Sequence, residues 1–306
     1  MDLPSVSADE LFDLLPMGAA IDALEAAFGA PDPPEAPART HLDVGTGDLL
    51  LMPAWNTEAV GVKLVTVNPA NPGAGLPLIN GIYVLFSHDT LQPIATFDAA
   101  ALTGLRTAAV SGLATRYLAR PEAKTLVMFG AGTQARHHLR AMVETRPIDR
   151  VIVVTRTRER AEDLVRDIDA LQIEGSVGNS ADVARADVVC TCTTSPQPVF
   201  DGNDLAAGAH VNAVGAYKPT ARELDDATIR RGPIIVETRE AALAEAGDLL
   251  IPMENGVIDE TAVVADLSEV VGGAEVRRGP DTVTIFKSVG VAFEDLVVAA
   301  AAHLRM

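Results

Sequence analysis

Apolar positions in the first part of the chain repeat at helical spacing and then at the spacing of strands. A helix is predicted over residues 7–29, because Ser7 and Glu10 have capping-box spacing and the apolar residues after them form one stripe. The stripe consists of Leu11, Leu14, Leu15, Ile21, Leu24 and Phe28. Apolar runs bounded by Gly, Pro and Asn then predict strands near 39–44, 48–53, 60–67, 81–87 and 92–98. A helix rich in small residues is predicted over 101–118.

Strand and helix alternate from Lys124 onward. The predicted strands are 125–129, 150–155, 187–192, 209–214, 233–237 and 283–286, and the predicted helices are 133–145, 158–170 and 220–230. This alternation is typical of a doubly wound parallel sheet. An amphipathic helix over 290–303 follows, and we expect it to return to the N-terminal domain. The predicted fold is therefore α/β, with a Rossmann domain at 119–289 and a discontinuous α+β domain at 1–118 and 290–306.

A glycine-rich turn stands between the first of these strands and the helix after it. Gly130-x-Gly132-x-x-Ala135 directly follows the apolar run that ends at Phe129. In this context the first glycine permits a tight turn, the second lets a pyrophosphate approach, and the small third residue lets helix and strand pack closely. Thr133 and Gln134 would begin the helix whose N-terminus faces the anion. The turn therefore predicts a dinucleotide site, with a purely structural turn as the alternative.

The end of the next predicted strand favours NADP(H) over NAD(H). An NAD-selective fold usually has Asp or Glu there, where it binds the ribose 2′-hydroxyl. This chain instead has Thr155-Arg156-Thr157-Arg158. Two arginines and two hydroxyls suit a 2′-phosphate, because guanidinium groups donate paired charge-assisted hydrogen bonds. The alternative is that both arginines are solvated at the start of a helix.

Composition and charge argue against several classes of function. A formal net charge of −18 disfavours nucleic-acid binding, which needs clustered basic residues. No apolar run reaches the ~18–20 residues of a membrane span and no signal pattern is present, so we expect a soluble, cytoplasmic protein. Cys190 and Cys192 are expected to be small apolar core residues, and His137-His138 a solvated helix face. We therefore predict no metal site.

Five segments, in order along the chain, match one known family. They are Gly61–Pro72, Leu102–Ala109, the glycine turn, Ala209–Asp225 and Phe286–Leu296. Through them the chain resembles the ornithine cyclodeaminase/mu-crystallin family from end to end. The resemblance implies a Rossmann domain and a substrate-binding domain whose sheet also mediates homodimerisation.

The resemblance also implies which residues bind the substrate and the cofactor. Family members bind the carboxylate of an amino or imino acid beside the nicotinamide, and the matching positions are Arg39, Lys63 and Arg106. Fixed cations suit a carboxylate taken from water, although Arg39 could be merely exposed and Arg106 could serve an internal ion pair. The positions that match cofactor-binding regions are Thr107, Gly130, Gly132, Thr133, Gln134, Ala135, Arg156, Thr157, Thr193, Val214, Gly215 and Ser288.

Two departures from the family pattern distinguish between activities. The family's cyclodeaminases have a catalytic Asp where this chain has Tyr217, and a Glu for the distal amine where it has Leu50. Without both acids, cyclisation of ornithine is disfavoured. We predict instead that NAD(P)H reduces a cyclic ketimine, 1-pyrroline-2-carboxylate or 1-piperideine-2-carboxylate, to the L-amino acid. Lys63, or Tyr217 through water, would protonate the imine nitrogen.

Other functions stay open at this point. The family name itself leaves ornithine cyclodeamination as an alternative. An alanine dehydrogenase-like or N-substituted amino-acid dehydrogenase would use the same cofactor geometry, but it would need a base where Tyr217 stands. A non-catalytic, NADPH-dependent binder of small ligands is a further alternative, which the complete set of Arg39, Lys63 and Arg106 disfavours.

Overall fold

A computed structural model describes residues 3–306, and the chain forms two compact units. Unit 1 combines the chain up to Ala109 with Val291–Met306, and unit 2 is Val110–Gly290. None of the described helices combines the length and the apolar character that a membrane span requires.

The secondary structure is as follows, in chain order. The strands are β1 (Ser5–Val6), β2 (Thr40–Asp43), β3 (Asp48–Trp55), β4 (Ala59–Val67), β5 (Ile79–Ser87), β6 (Pro93–Asp98), β7 (Thr125–Phe129), β8 (Arg150–Val154), β9 (Glu174–Val177), β10 (Val188–Thr191), β11 (His210–Ala213), β12 (Ile234–Val236), β13 (Val263–Asp266) and β14 (Thr284–Lys287). The α-helices are α1 (Ala8–Leu14), α2 (Met17–Phe28), α3 (Ala99–Leu118), α4 (Thr133–Thr145), α5 (Arg158–Ala170), α6 (Asp226–Ile229), α7 (Arg239–Glu245), α8 (Gly247–Glu254), α9 (Leu267–Val271) and α10 (Ala292–His303). Short 3₁₀ turns lie at Asn71–Ala74, Ser180–Arg185, Gly202–Asp204 and Glu260–Ala262.

Unit 1 is built on a mixed sheet in the order β1-β6-β5-β4-β3-β2. Its long strands are antiparallel, and the predicted strands of this region are confirmed. Helix α10 packs against β3, β4 and α2, where the rings of Phe28 and Phe293 lie edge to face with centroids 4.9 Å apart. Successive residues of a strand face opposite sides of the sheet, and along β4 Ala59, Gly61 and Lys63 face the buried side.

The prediction of a single N-terminal helix over 7–29 is wrong in one respect, because this segment forms two helices, α1 and α2. The capping box of Ser7 and Glu10 is present at the start of α1. Leu15 then leaves helical geometry at φ −131° and ψ 85°, and Pro16 precedes the first residue of α2. A proline disfavours helical geometry in the residue before it, so the helix has to end there and begin again.

Unit 2 is a parallel doubly wound sheet, as predicted. Its order is β13-β12-β14-β11-β10-β7-β8-β9, and every pairing is parallel. The central strands β7, β10 and β11 are almost entirely buried, as is usual where helices cover both faces of a sheet. The order of strands reverses between β7 and β10, and ligands of such folds bind beyond the carboxyl ends of the strands at that point.

The predicted helix over 220–230 is also wrong, since only Asp226–Ile229 is helical. The backbone N–H groups of Glu223 and Leu224 donate to the Asp248 carboxylate at 2.7 and 2.8 Å, which holds this segment as an irregular loop. Strands β9 and β13 were not predicted. Both are short edge strands: β9 has Val177 as its only large apolar side chain, whereas the apolar run at the start of β13 was overlooked.

Candidate active site

Lys63 is a buried cation in the sheet of unit 1. Its side chain is only 3% exposed, and its Nζ lies 2.7 Å from Asp295 Oδ2 and donates to Thr103 Oγ1 at 3.1 Å. Burial lowers the pKa of the Lys63 ammonium to about 8; the Asp295 carboxylate opposes this effect, and the charges of Arg106 and Arg39 add to it. A lysine with this pKa can give and take a proton near neutral pH.

Arg106 joins Lys63 in one charged group, which we name the clamp cluster: Lys63, Arg106, Glu294 and Asp295. Arg106 projects from α3 with its side chain 7% exposed. Its Nη1 lies 2.6 Å from Glu294 Oε2, and its Nε lies 3.3 Å from Asp295 Oδ1. The cluster thus balances two cations with two acids.

Arg39 and Leu50 lie on the strands beside the clamp cluster. Arg39 is half-buried just before β2, and its charge reaches Lys63 strongly enough to lower the pKa of that ammonium. Leu50 lies on β3, two residues from Met52, which pairs with Lys63, so Leu50 and Lys63 share one face of the sheet. Arg39 and the clamp cluster together place three cations against two acids, which suits an anionic ligand.

Glu294 and Asp295 were missed by the sequence predictions. Both are fully buried in the first turn of α10. A signal was available, because two adjacent acids interrupt an otherwise apolar helix, and buried carboxylates require partners. Their position at a helix N-terminus is also favourable for negative charge.

The glycine turn of unit 2 has the backbone geometry that its sequence predicts. Gly130 has φ +103°, and a Cβ there would lie 2.4 Å from the carbonyl oxygen of Cys192. Gly132 precedes α4 in extended geometry, with open space around its Cα and no side chain capping the helix. Ala135 is fully buried where α4 packs on the sheet. The first turn of α4 is therefore open to an anion.

Two polar atoms near the predicted cofactor positions are buried without a hydrogen-bond partner in residues 3–306. They are Oγ1 of Thr107, on α3 in unit 1, and Oε1 of Gln134, in the first turn of α4 in unit 2. Buried polar atoms are usually satisfied, so such exceptions indicate a group that a ligand completes. Within unit 2, the Gln134 oxygen and the open glycine turn fit a dinucleotide.

The segment after β8 presents the polar side chains predicted to face a 2′-phosphate. Thr155 is half-buried, and Arg156, Thr157 and Arg158 are exposed. Arg158 pairs with Glu162 at 2.8 Å on its own helix. For Arg156, no ion pair or side-chain hydrogen bond occurs within the described chain.

The remaining predicted residues follow the carboxyl ends of β10, β11 and β14. Thr193, Gly215 and Ser288 each bond to a buried carboxylate: Thr193 and Gly215 to Glu223, and Ser288 to Glu237 at 2.6 Å. Val214 is buried beside them. Tyr217 is 44% exposed, and Lys218 Nζ lies 5.9 Å from the centroid of its ring.

The expected solvated face at His137-His138 is wrong, because both histidines are buried. His138 is hydrogen-bonded to Ser111 Oγ at 3.0 Å and to the carbonyl of Gln134 at 2.8 Å. Burial lowers the pKa of His138 to about 4. These residues therefore belong to the packing of α4 against α3.

Comparison with known proteins shows the family and the fold of the chain. The profile of the ornithine cyclodeaminase/mu-crystallin family matches residues 6–306. The chain belongs to this family. Among curated members of the ornithine cyclodeaminase/mu-crystallin family, the Delta(1)-pyrroline-2-carboxylate reductase of Bacillus cereus is 40% identical over 262 residues, covering 82% of this chain and 79% of that protein.

Solved structures of the family share the whole fold. The Delta(1)-pyrroline-2-carboxylate reductase of Thermococcus litoralis, in complex with NADH and L-proline, has a TM-score of 0.92 at 34% identity, with 99% of this chain and 97% of that chain covered. An archaeal alanine dehydrogenase dimer with bound NAD has a TM-score of 0.93 at 32% identity, with 100% and 96% covered.

Proposed function

We propose that this chain is an oxidoreductase that uses a reduced nicotinamide cofactor to reduce the C=N bond of a cyclic ketimine carboxylate. The substrate is 1-pyrroline-2-carboxylate or 1-piperideine-2-carboxylate, and the product is the cyclic L-amino acid. The buried clamp cluster is the observation that carries this proposal. The similarity to reductases named for pyrroline-2-carboxylate supports it, as does the presence of L-proline, the product of that reduction, in the Thermococcus litoralis complex.

The cations of unit 1 bind the substrate carboxylate in this proposal. Lys63 and Arg106 are held in place by Asp295 and Glu294, so they are preorganised before the substrate arrives. Arg39 adds a third cation, so that the positive charges of the three cations exceed the negative charges of Glu294 and Asp295 by one. A planar carboxylate then accepts charge-assisted hydrogen bonds from guanidinium and ammonium donors.

Lys63 also supplies the proton. When bound, the cofactor supplies a hydride to the imine carbon, and the protein has to deliver one proton to the imine nitrogen. The Lys63 ammonium, with its pKa lowered to about 8 by burial, is a suitable donor. Tyr217 acting through water is the alternative donor, and its exposed position after β11 is compatible with that role.

We expect the purified protein to oxidise NADPH rapidly with 1-pyrroline-2-carboxylate or 1-piperideine-2-carboxylate. Ornithine should give no proline, because Tyr217 and Leu50 stand where cyclodeaminases have acids. Absorbance of the reduced nicotinamide and amino-acid analysis of the products measure both reactions. Faster oxidation of L-alanine than of L-proline in the reverse direction would favour an amino-acid dehydrogenase. Tight ligand binding without turnover would favour a non-catalytic binder.

The cofactor is a nicotinamide dinucleotide, and we propose a preference for NADPH over NADH. Replacing Arg156 by Ala should raise the KM for NADPH by about tenfold, the equivalent of one charge-assisted hydrogen bond, and leave the KM for NADH unchanged. Arg150→Ala is the matched control, since Arg150 is also exposed but lies at the opposite end of β8 and pairs with Glu174. Equal changes for both cofactors in Arg156→Ala would contradict the preference.

We also propose that the chain forms a homodimer through the sheet of unit 1. The face of this sheet opposite the clamp cluster exposes apolar side chains, including Leu42 and Ile82, which are 43% and 42% exposed. An exposed apolar face of this kind is typical of an interface between copies of a chain. The solved structure of the archaeal alanine dehydrogenase is a dimer, which supports the proposal that this chain also forms a dimer.

A further inference from the structure

Three charged side chains are completely buried beyond the carboxyl ends of the strands of unit 2. Glu223 lies in the loop before α6, Asp248 in the first turn of α8, and Lys287 at the end of β14. All three are 0% exposed. We name them the strand-end cluster. The activity proposed above assigns no role to them.

Glu223 connects the ends of two neighbouring strands. Its carboxylate accepts hydrogen bonds from Thr191 Oγ1 at 2.8 Å, from the Thr193 N–H at 2.8 Å and from Thr193 Oγ1 at 2.6 Å. It also accepts bonds from the N–H groups of Gly215 at 2.7 Å and Ala216 at 3.3 Å. One side chain thus fixes the backbone that follows both β10 and β11.

At Gly215 the backbone after β11 passes unusually close to the backbone after β10. A Cβ at this position would lie 2.1 Å from the carbonyl oxygen of Thr193 and 2.7 Å from Glu223 Oε1. The glycine and the carboxylate are therefore fitted to each other. A small displacement of Glu223 would move the Gly215 backbone.

Asp248 and Lys287 hold Glu223 in its place. Asp248 Oδ1 accepts bonds from the N–H groups of Glu223 and Leu224, and its Oδ2 lies 2.7 Å from Lys287 Nζ. Lys287 Nζ also donates to the carbonyl of Ala216 at 2.5 Å. Lys287 therefore contacts the loop after β11, the same loop whose N–H groups donate to Glu223.

Stability alone is a poor explanation for this cluster. Burial raises the pKa of the Glu223 carboxyl, and the nearby Lys287 charge opposes that effect. Two acids and one lysine leave one unbalanced negative charge out of water. Well-packed apolar residues often stabilise a fold as well as such buried charges do. What the charges provide in addition is a set of directional bonds to the backbone.

The direction of the strand order indicates which part of a dinucleotide these bonds face. The pyrophosphate of such folds lies at the glycine turn after β7, and the adenosine ribose lies at the end of the next strand, β8. The nicotinamide half then extends over the opposite side of the reversal point, beyond β10 and β11. These are the strand ends that Glu223 fixes.

We propose that Glu223, Asp248 and Lys287 are positioning residues for the nicotinamide ring. They fix the backbone at Thr193 and Gly215 against which the ring is placed for hydride transfer, while the glycine turn provides most of the affinity for the dinucleotide. This inference rests on the proposed reductase function, because it concerns the geometry of the same hydride transfer.

Glu223→Gln tests the proposal, since it keeps the size of the side chain and removes its charge. With 1-pyrroline-2-carboxylate and NADPH we expect kcat to fall by about 100-fold, as for a misplacement of roughly 1 Å, and the KM for NADPH to change by no more than about threefold. The primary deuterium isotope effect on kcat, measured with NADPH deuterated at the transferred position, should increase. Asp248→Asn is a milder second variant, because its Oδ1 can still accept the two backbone bonds.

Asp187→Asn is the matched control. Asp187 also binds backbone N–H groups, those of Lys124 and Thr125, and pairs with Arg120, but it lies at the amino ends of the strands. Its loss should lower the melting temperature without raising the isotope effect. The proposal is overturned if the cluster variants keep kcat within about twofold, or if they lose kcat and NADPH affinity together.

The fluorescence of bound NADPH separates this inference from the reductase proposal. If the wild-type protein binds NADPH but reduces no ketimine, the proposed function fails while the fluorescence still reports the surroundings of the nicotinamide. In that case Glu223→Gln should change the emission of bound NADPH and Asp187→Asn should not. Identical emission from wild type and Glu223→Gln would overturn the positioning role.

Discussion

Replacing Lys63 by methionine is expected to lower kcat/KM for ketimine reduction by about a thousandfold. The variant keeps a long apolar stem in the sheet but loses the ammonium group that we propose binds the substrate carboxylate and donates the proton to the imine nitrogen. Steady-state rates at saturating NADPH, measured over a range of ketimine concentrations, give the effect. NADPH binding should persist, because the glycine turn belongs to unit 2. Near-normal turnover would show that Lys63 does not provide the proton.

The pH dependence of the reaction offers an independent check on Lys63. The rate of reduction should fall as the pH rises above about 8, because the ammonium that we propose as the proton donor is then lost. The Asp295 carboxylate raises the pKa of Lys63, so Asp295→Asn should lower that pKa and move the falling limb to lower pH. If the pH at which the rate falls is unchanged in Asp295→Asn, the group that titrates is the substrate or another residue.

Replacing Gly130 by alanine is expected to have the second large effect. The new Cβ would meet the carbonyl oxygen of Cys192 at 2.4 Å, and a φ of +103° is strained for any residue but glycine. We expect a loss of about 1–3 kcal/mol in the free energy of unfolding and a loss of measurable NADPH binding. Thermal melting and fluorescence titration with NADPH measure the two effects.

Gly132→Ala is the informative comparison for that variant. Gly132 has extended geometry and open space around its Cα, so alanine should leave the melting temperature unchanged. NADPH affinity should nevertheless fall, because the methyl group stands where the pyrophosphate approaches. If Gly132→Ala bound NADPH as tightly as wild type, the pyrophosphate would have to lie elsewhere.

Much of the fold could be predicted from the periodicity of the sequence. The helices at 133–145 and 158–170 have the predicted bounds, because their amphipathic stripes are regular and no proline interrupts them. The break in the N-terminal helix at Pro16 was a local signal that the prediction overlooked. Other predictions failed where a side chain far away in sequence decides the backbone. The segment at 220–230 is one example, since its backbone bonds to Asp248 replace the helical ones.

The site could be predicted only in part, for a similar reason. The resemblance to a family supplied Arg39, Lys63 and Arg106, but it did not supply their partners Glu294 and Asp295. These acids lie 188 residues and more from the arginine that they contact. Local patterns contain no information on such a pairing. The same holds for the strand-end cluster, whose members look like ordinary surface charges in the sequence.

The position of α10 has a consequence for the synthesis of the protein. Unit 1 needs Phe293 for its core and Glu294 and Asp295 for its buried cations, and these residues are synthesised after the whole of unit 2. Unit 2 is a single continuous stretch that is complete before them. The strands of unit 1 are thus made first but have to wait for their helix, while Lys63 and Arg106 lack their acidic partners. A nascent chain therefore completes unit 2 before it completes unit 1.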